Sequence, residues 1–131
     1  GERTAEELKI QLGSASVEKA QGSMQVRGRD MVTGLPRVVE VPAKEIAIAM
    51  SEIIHQILDA VKDVLEQTPP EISADVIDHG IVLTGGGAML RHLAEMISKE
   101  TQVPAFVAND PLDCVALGTG AILANPSLMK K

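Results

Sequence analysis

The chain has 131 residues, with 12 Lys and Arg against 18 Asp and Glu for a formal net charge of −6, a length that suits one domain or two small lobes of a larger one. Phe106 is its single aromatic residue, so the core must be aliphatic and an aromatic stacking platform for single-stranded nucleic acid is excluded. The acidic balance argues against a broad phosphate-neutralising surface, so no nucleic-acid partner is expected, and the lone Cys114 excludes an internal disulfide or a multi-cysteine metal site.

Thr4-Ala5-Glu6-Glu7 has the form of a capping box, with Ala5, Leu8 and Leu12 at helical spacing behind it and Gly13 placed to close the helix. Residues 14–22 read as a loop. Met24 and Val26 alternate with polar neighbours, Thr33 to Pro36 is turn chemistry, and Arg37 to Val41 is a second β-branched run, which together predict a hairpin with an Arg27-Gly28-Arg29-Asp30 shoulder. Pro42 sits where a helix can start. From Ile46 the apolar positions Met50, Ile53, Ile54, Ile57, Leu58, Val61, Val64 and Leu65 step by three and four into one stripe, and Pro69-Pro70 ends it.

Gly80 to Thr84 is a short apolar run between turn signals, read as a strand buried on both faces. Gly85-Gly86-Gly87 follows, then Leu90, Leu93, Ala94 and Ile97 mark a second amphipathic helix. Val103 to Val107 is another short strand, Asn109-Asp110-Pro111 a turn, and residues 112–124 an apolar helix rich in small residues. The tail from Pro126 to Lys131 is expected to fray. No apolar run is long enough to span a bilayer and no secretory leader opens the chain, so a cytosolic setting is expected. The start at Gly1, without an initiator Met, raises the expectation of a piece of a longer protein.

The sharpest local feature is the strand–triglycine–helix succession at 81–97. Adjacent glycines admit a ligand past bare backbone, and backbone N–H groups at the start of the following helix point at whatever lies above the strand end. A plain strand-to-helix turn explains the same residues. No Gly-Lys-Ser/Thr follows and no G-x-G-x-x-G is present, so a bound nucleotide would meet this loop through base and sugar, with its phosphates elsewhere. Glu6 and Lys9, at i and i+3, share a helix face; a carboxylate can accept from ribose hydroxyls and a Lys stem can cover a purine, although an exposed ion pair is favoured on spacing alone. Gly118-Thr119-Gly120-Ala121 favours close helix packing. His55, His79 and His92 are too dispersed to predict a metal site, and no catalytic triad or carboxylate pair stands out.

GERTAEELK, VRGRDMVTGLP, LEQTPPE, DHGIVLTGGGAML and CVALGTGAIL, in this order, closely resemble the bacterial actin homologues of the MreB/Mbl family, over essentially the whole chain. IVLTGGGAML alone points to the wider superfamily of actin and heat-shock chaperone ATPases; RGRDMVTGLP with TPPE narrows it. The resemblance implies an α/β, actin-like ATPase (ribonuclease H-like) fold, present in part. Residues 1–45 would form part of a small upper subdomain with helix and β-hairpin, and residues 46–131 the carboxyl-terminal part of a large lower subdomain.

It also implies that Glu6, Glu7, Leu8 and Lys9, with Gly86, Gly87, Ala88 and Met89, line the adenosine end of an ATP cleft, Glu6 taking the ribose hydroxyls and Lys9 packing near the base. Mg²⁺ would accompany ATP in the intact protein. The family's phosphate loops, its Mg²⁺-associated acid and the group that positions the attacking water have no counterpart here, so no catalytic or metal residue is expected and the isolated chain should not hydrolyse ATP. The implied role is that of a cell-shape protein on the inner face of the cytoplasmic membrane. Its implied partners are further copies of itself in filaments, the membrane through parts outside this segment, the transmembrane adaptor RodZ and the wall-synthesis machinery. The competing readings are a non-polymerising chaperone-type ATPase and a stand-alone interaction module with a structural glycine turn.

Overall fold

The computed structural model describes residues 1–129. Helix α1 runs Glu2–Leu12. It starts two residues before the expected capping box, with Gly1 as its N-cap and no side-chain cap. The reason lies in Arg3, whose guanidinium meets Glu7 one turn on at 3.3 Å, so Glu7 is drawn to Arg3 and Thr4 sits inside the helix. Gly13 closes the helix as expected, but with φ −57° rather than a left-handed turn. A Cβ built on Gly13 would lie 2.3 Å from the Lys9 carbonyl oxygen and 2.9 Å from Leu90 Cδ1, so its bare backbone is a matter of close approach.

Strands β1 (Ser23–Arg29) and β2 (Pro36–Pro42) form an antiparallel hairpin in register from Ser23 opposite Pro42 to Arg29 opposite Pro36. Helix α2 (Ala43–Glu66) follows directly, with extended Pro42 as its N-cap. The sequence reading took the next two prolines only as a stop. Pro69 is the N-cap and Pro70 the first residue of a further helix, α3 (Pro70–His79), because a proline in the first turn gives up only an N–H that has no partner there.

Strand β3 (Ile81–Leu83) pairs in parallel with β4 (Ala105–Val107), and α4 (Leu93–Thr101) crosses between them. The expectation that β3 is buried on both faces is corrected: Val82 is 53% exposed and Phe106, opposite it, 47%. Ile81, Leu83 and Ala105 pack on the core side, whereas no helix of the described residues covers the other face. Helix α5 (Cys114–Ala124) buries none of its residues. Gly118 and Gly120 have open space around them, so the small-residue stretch packs against nothing within the described residues. Pro126–Met129 forms a 3-10 turn where fraying was expected; Lys130 and Lys131 lie outside the described residues.

Two aliphatic clusters hold these elements. Ile54 and Leu58 of α2 meet Leu93 and Ile97 of α4 with Ala15, while Ala43 and Ala47 at the start of α2 meet Leu12 and Ala20. One long helix thus serves both, although Ile53, Ile57 and Val64 of the expected stripe stay exposed, so the buried face is narrower than the apolar pattern. Salt links from Lys62 to Glu100 and from Lys19 to Glu95 tie further segments onto α4.

Candidate functional site

Leu83 ends β3, and the chain passes through Thr84 and Gly85 into a 3-10 turn at Gly86–Met89. Gly85 has φ +82°, a conformation that requires glycine, and its N–H donates to the Pro111 carbonyl at 2.7 Å, anchoring the turn to the connection before α5. Gly86 and Gly87 differ from it. Neither has a positive φ; a Cβ on Gly87 would meet nothing within 4 Å, and one on Gly86 only Leu112 Cδ2 at 3.4 Å. The backbone conformation does not call for glycine at these two positions, and nothing in the described chain crowds them. Ala88 is buried beneath the turn and Met89 is 58% exposed on it.

On α1, Glu6, Glu7 and Lys9 are exposed, and Leu8 is half-buried against the Leu12–Ala43 cluster. The ion pair of this helix is Arg3–Glu7; none joins Glu6 to Lys9 among the described residues. No hydrogen bond joins Glu6, Glu7 or Lys9 to Gly86–Met89 among the described residues. The two segments are connected instead through residues that sequence reasoning did not single out as a group. The Ala15 N–H donates to the Arg91 carbonyl at 2.8 Å, the Arg91 guanidinium donates back to the Gln11 carbonyl at 2.7 Å, and Ser14 Oγ lies 2.9 Å from His92 Nδ1. The end of α1 and the three residues that follow it are thereby fastened to Arg91 and His92, just past the glycine turn.

Ser14 is 2% exposed. Its hydroxyl also lies 2.8 Å from the Ser16 carbonyl oxygen and accepts from the Ser16 N–H at 3.1 Å. His92 holds φ +66° as the residue before α4, an uncommon conformation for a side chain of that size. The Lys19–Glu95 pair lies alongside, and its ammonium holds the Glu95 carboxyl below the ordinary range. Ser14, Lys19, Arg91 and His92 border a half-open groove of about 380 Å³. The other two histidines turn back onto their own helices, His55 to the Ser51 carbonyl and His79 to that of Asp75. No three His, Cys, Asp or Glu side chains gather as a metal-binding group among the described residues.

The β1–β2 hairpin carries a second surface of interest. Met31 and Val32 at its tip are each 95% exposed. The turn beneath them is nonetheless well bonded. The Asp30 N–H donates to the Leu35 carbonyl and the Gly34 N–H to that of Asp30, both at 2.9 Å, and Arg29 Nε donates to the Gly34 carbonyl at 2.7 Å.

The sequence matches the family model described as MreB/Mbl protein over residues 1–131. It is 47% identical over its full length to the cell shape-determining protein Mbl of Bacillus subtilis (strain 168), of which it covers 39%. It is 45% identical over 123 residues to the cell shape-determining protein MreB of Escherichia coli (strain K12), matching 94% of this chain and 35% of that protein. The fold superposes on crystal structures of MreB5 of Spiroplasma citri bound to ADP and to AMPPNP, each with a TM-score of 0.86, at 37% and 35% identity. Those superpositions cover 93% and 98% of this chain and 37% and 38% of the crystal chains. The chain thus spans about two fifths of the length of the relatives it matches.

Proposed function

The chain belongs to the MreB/Mbl family, and we propose from that premise that it is the carboxyl-terminal portion of an ATP-binding, filament-forming, cell-shape-determining protein. It shares the actin-like fold of MreB5. The nucleoside site would lie between α1 and the glycine turn: Glu6 accepting from the ribose hydroxyls, Lys9 packing its stem near the base, Glu7 and Leu8 completing that wall, and Gly86, Gly87, Ala88 and Met89 forming the other. The observation that carries this reading is Gly86-Gly87, two glycines in open space whose backbone conformation does not demand them. A flat ring approaching the backbone would require their bareness. Crystal structures of S. citri MreB5 with ADP and AMPPNP support the same ligand class.

Bound ATP supplies a phosphoanhydride whose cleavage can bias domain closure. The residues of this chain would grip and orient the nucleoside only; with no phosphate loop or metal group among them, the isolated chain would not hydrolyse ATP. Residues 1–45 would belong to the small upper subdomain and 46–131 to the large lower one, as the resemblance implies. Self-association is supported by the hairpin tip, an apolar pair rimmed by Arg27, Arg29 and Arg37. Helix α3, with exposed Ile72 and Ile77 among Glu71, Asp75 and Asp78, is its complement in polarity and charge. A tip-to-helix contact between copies is heterologous, and it would build a filament where its rotation does not close into a ring. No helix of the described residues is long and apolar enough to cross a membrane. By the resemblance, attachment to the inner face of the cytoplasmic membrane would use other parts of the protein, with RodZ and the peptidoglycan-synthesis machinery as partners.

The test is sedimentation of the full-length polypeptide containing this chain, with ATP and without nucleotide. ATP-dependent pelleting is expected. ATP binding without pelleting would favour a chaperone-type ATPase, and absence of ATP binding would leave the glycines as a structural turn. For the isolated chain, steady phosphate release abolished by Lys9→Ala would overturn the assignment of a binding role alone.

A further inference from the structure

Resting on the nucleoside reading above, we infer that Arg91, with the Ser14–His92 hydrogen bond, is a positioning element that sets the gap between α1 and the glycine turn. Glu6 and Lys9 stand on α1, whose last turn and the segment directly after it, residues 11–15, make three hydrogen bonds to residues 91 and 92. Arg91 contributes to two of them, its carbonyl accepting from Ala15 at 2.8 Å and its guanidinium donating to Gln11 at 2.7 Å. That guanidinium sits at the carboxyl end of α1, where free carbonyls and the helix dipole favour a cation. The Ser14–His92 bond adds the third, between a Ser14 that is 2% exposed and a half-buried His92.

The conformation of His92 fits the same role. Its left-handed φ of 66° lies between the glycine turn and α4, and such strain persists only where the surroundings hold it. Leu90 also packs close to Gly13, its Cδ1 lying 2.9 Å from where a Cβ on that glycine would stand. Residues 90–92 therefore meet residues 11–15, the last turn of α1 and the segment directly after it. None of the three side chains need touch the nucleotide. Their effect would be confined to the part of the affinity that comes from base and ribose, because the phosphates are expected to be held elsewhere.

That restriction gives the test. In the full-length polypeptide, affinities for ATP and for inorganic tripolyphosphate are measured for the unaltered protein and for Arg91→Ala, Arg91→Lys, His92→Ala and His92→Asn. Arg91 is exposed, so its variants should fold. Arg91→Ala and His92→Ala should each weaken ATP about tenfold, the worth of one well-made hydrogen bond, and leave tripolyphosphate unchanged. Arg91→Lys keeps a cationic donor, and His92→Asn keeps a donor while tolerating the left-handed backbone, so both should recover most of the loss. A structural role alone would lower thermal stability without changing the ratio of the two affinities. An unchanged ratio in Arg91→Ala and His92→Ala overturns the positioning role, while the nucleoside reading stands if the unaltered protein prefers ATP. Equal binding of ATP and tripolyphosphate by the unaltered protein overturns both.

Discussion

Arg37 Nη1 donates to Asp30 Oδ2 at 3.0 Å, across the base of the hairpin turn. The other carboxylate oxygen of Asp30 accepts the N–H groups of Val32 and Thr33, both at 2.9 Å. These backbone bonds, with the Arg37 guanidinium after them, hold the Asp30 carboxyl below its ordinary range. A lowered carboxylate pKa contributes stability that is present above the unfolded value and lost as pH falls through the folded one. The tip should therefore stay ordered to a lower pH than a free Asp would permit. Amide signals of Val32 and Thr33 followed by NMR on acidification should move with a midpoint below the usual Asp range. A midpoint within that range would show that the capping bonds do not persist in solution.

The tip so held presents Met31 and Val32 to solvent. Replacing either by Asp should abolish ATP-dependent pelleting of the full-length polypeptide while its thermal midpoint stays within about 2 °C, since surface changes remote from the core are near neutral. Unimpaired pelleting would remove the tip from the filament contact.

Gly80 and Gly28 should respond oppositely to alanine. Gly80 has φ +82°, and a Cβ there would sit 2.7 Å from the Pro104 carbonyl oxygen, the acceptor of the Ile81 N–H. Gly80→Ala should destabilise the chain by about 1–3 kcal/mol or more in urea melts. Gly28 lies in β1 with nothing within 4 Å of the added methyl. Its replacement should be neutral or stabilise by up to about 1 kcal/mol.

Ile97 and Val82 make a second contrast. Ile97 is 1% exposed between α2 and the sheet, and Ile97→Ala should cost about 2–5 kcal/mol. Val82 is 53% exposed, so Val82→Ala should cost about 0.5 kcal/mol or less in the isolated chain. If the rest of an actin-like domain covers that face, the same change should cost markedly more in the full-length polypeptide. Equal small costs in both settings would mean that the face stays open.

Much of this fold is legible in the sequence. The α2 stripe from Ile46 to Leu65 and the two hairpin strands are local periodicities. The glycine turn follows from composition alone. What escaped the reading depends on competition or distance. Thr4 and Glu7 satisfy a capping pattern, yet Arg3 offers Glu7 a better partner. Pro69 and Pro70 stop one helix and start the next, and a linear reading took only the first meaning. Val82 has the apolarity of a core strand, yet it stays 53% exposed because no helix among the described residues packs on that face. At the site, Gly86 and Gly87 were visible as bare backbone. The clamp of Ser14, Arg91 and His92 was not, because its partners are 78 and 80 positions apart and no spacing rule joins them. His92 stood out only as a histidine without a companion ligand.

The most direct measurement is a crystal structure of the full-length polypeptide with a non-hydrolysable ATP analogue. The account predicts the adenine against the bare backbone of Gly86 and Gly87, the ribose hydroxyls hydrogen-bonded to Glu6, and the Lys9 stem beside the base. A nucleoside bound away from both α1 and the glycine turn would contradict it.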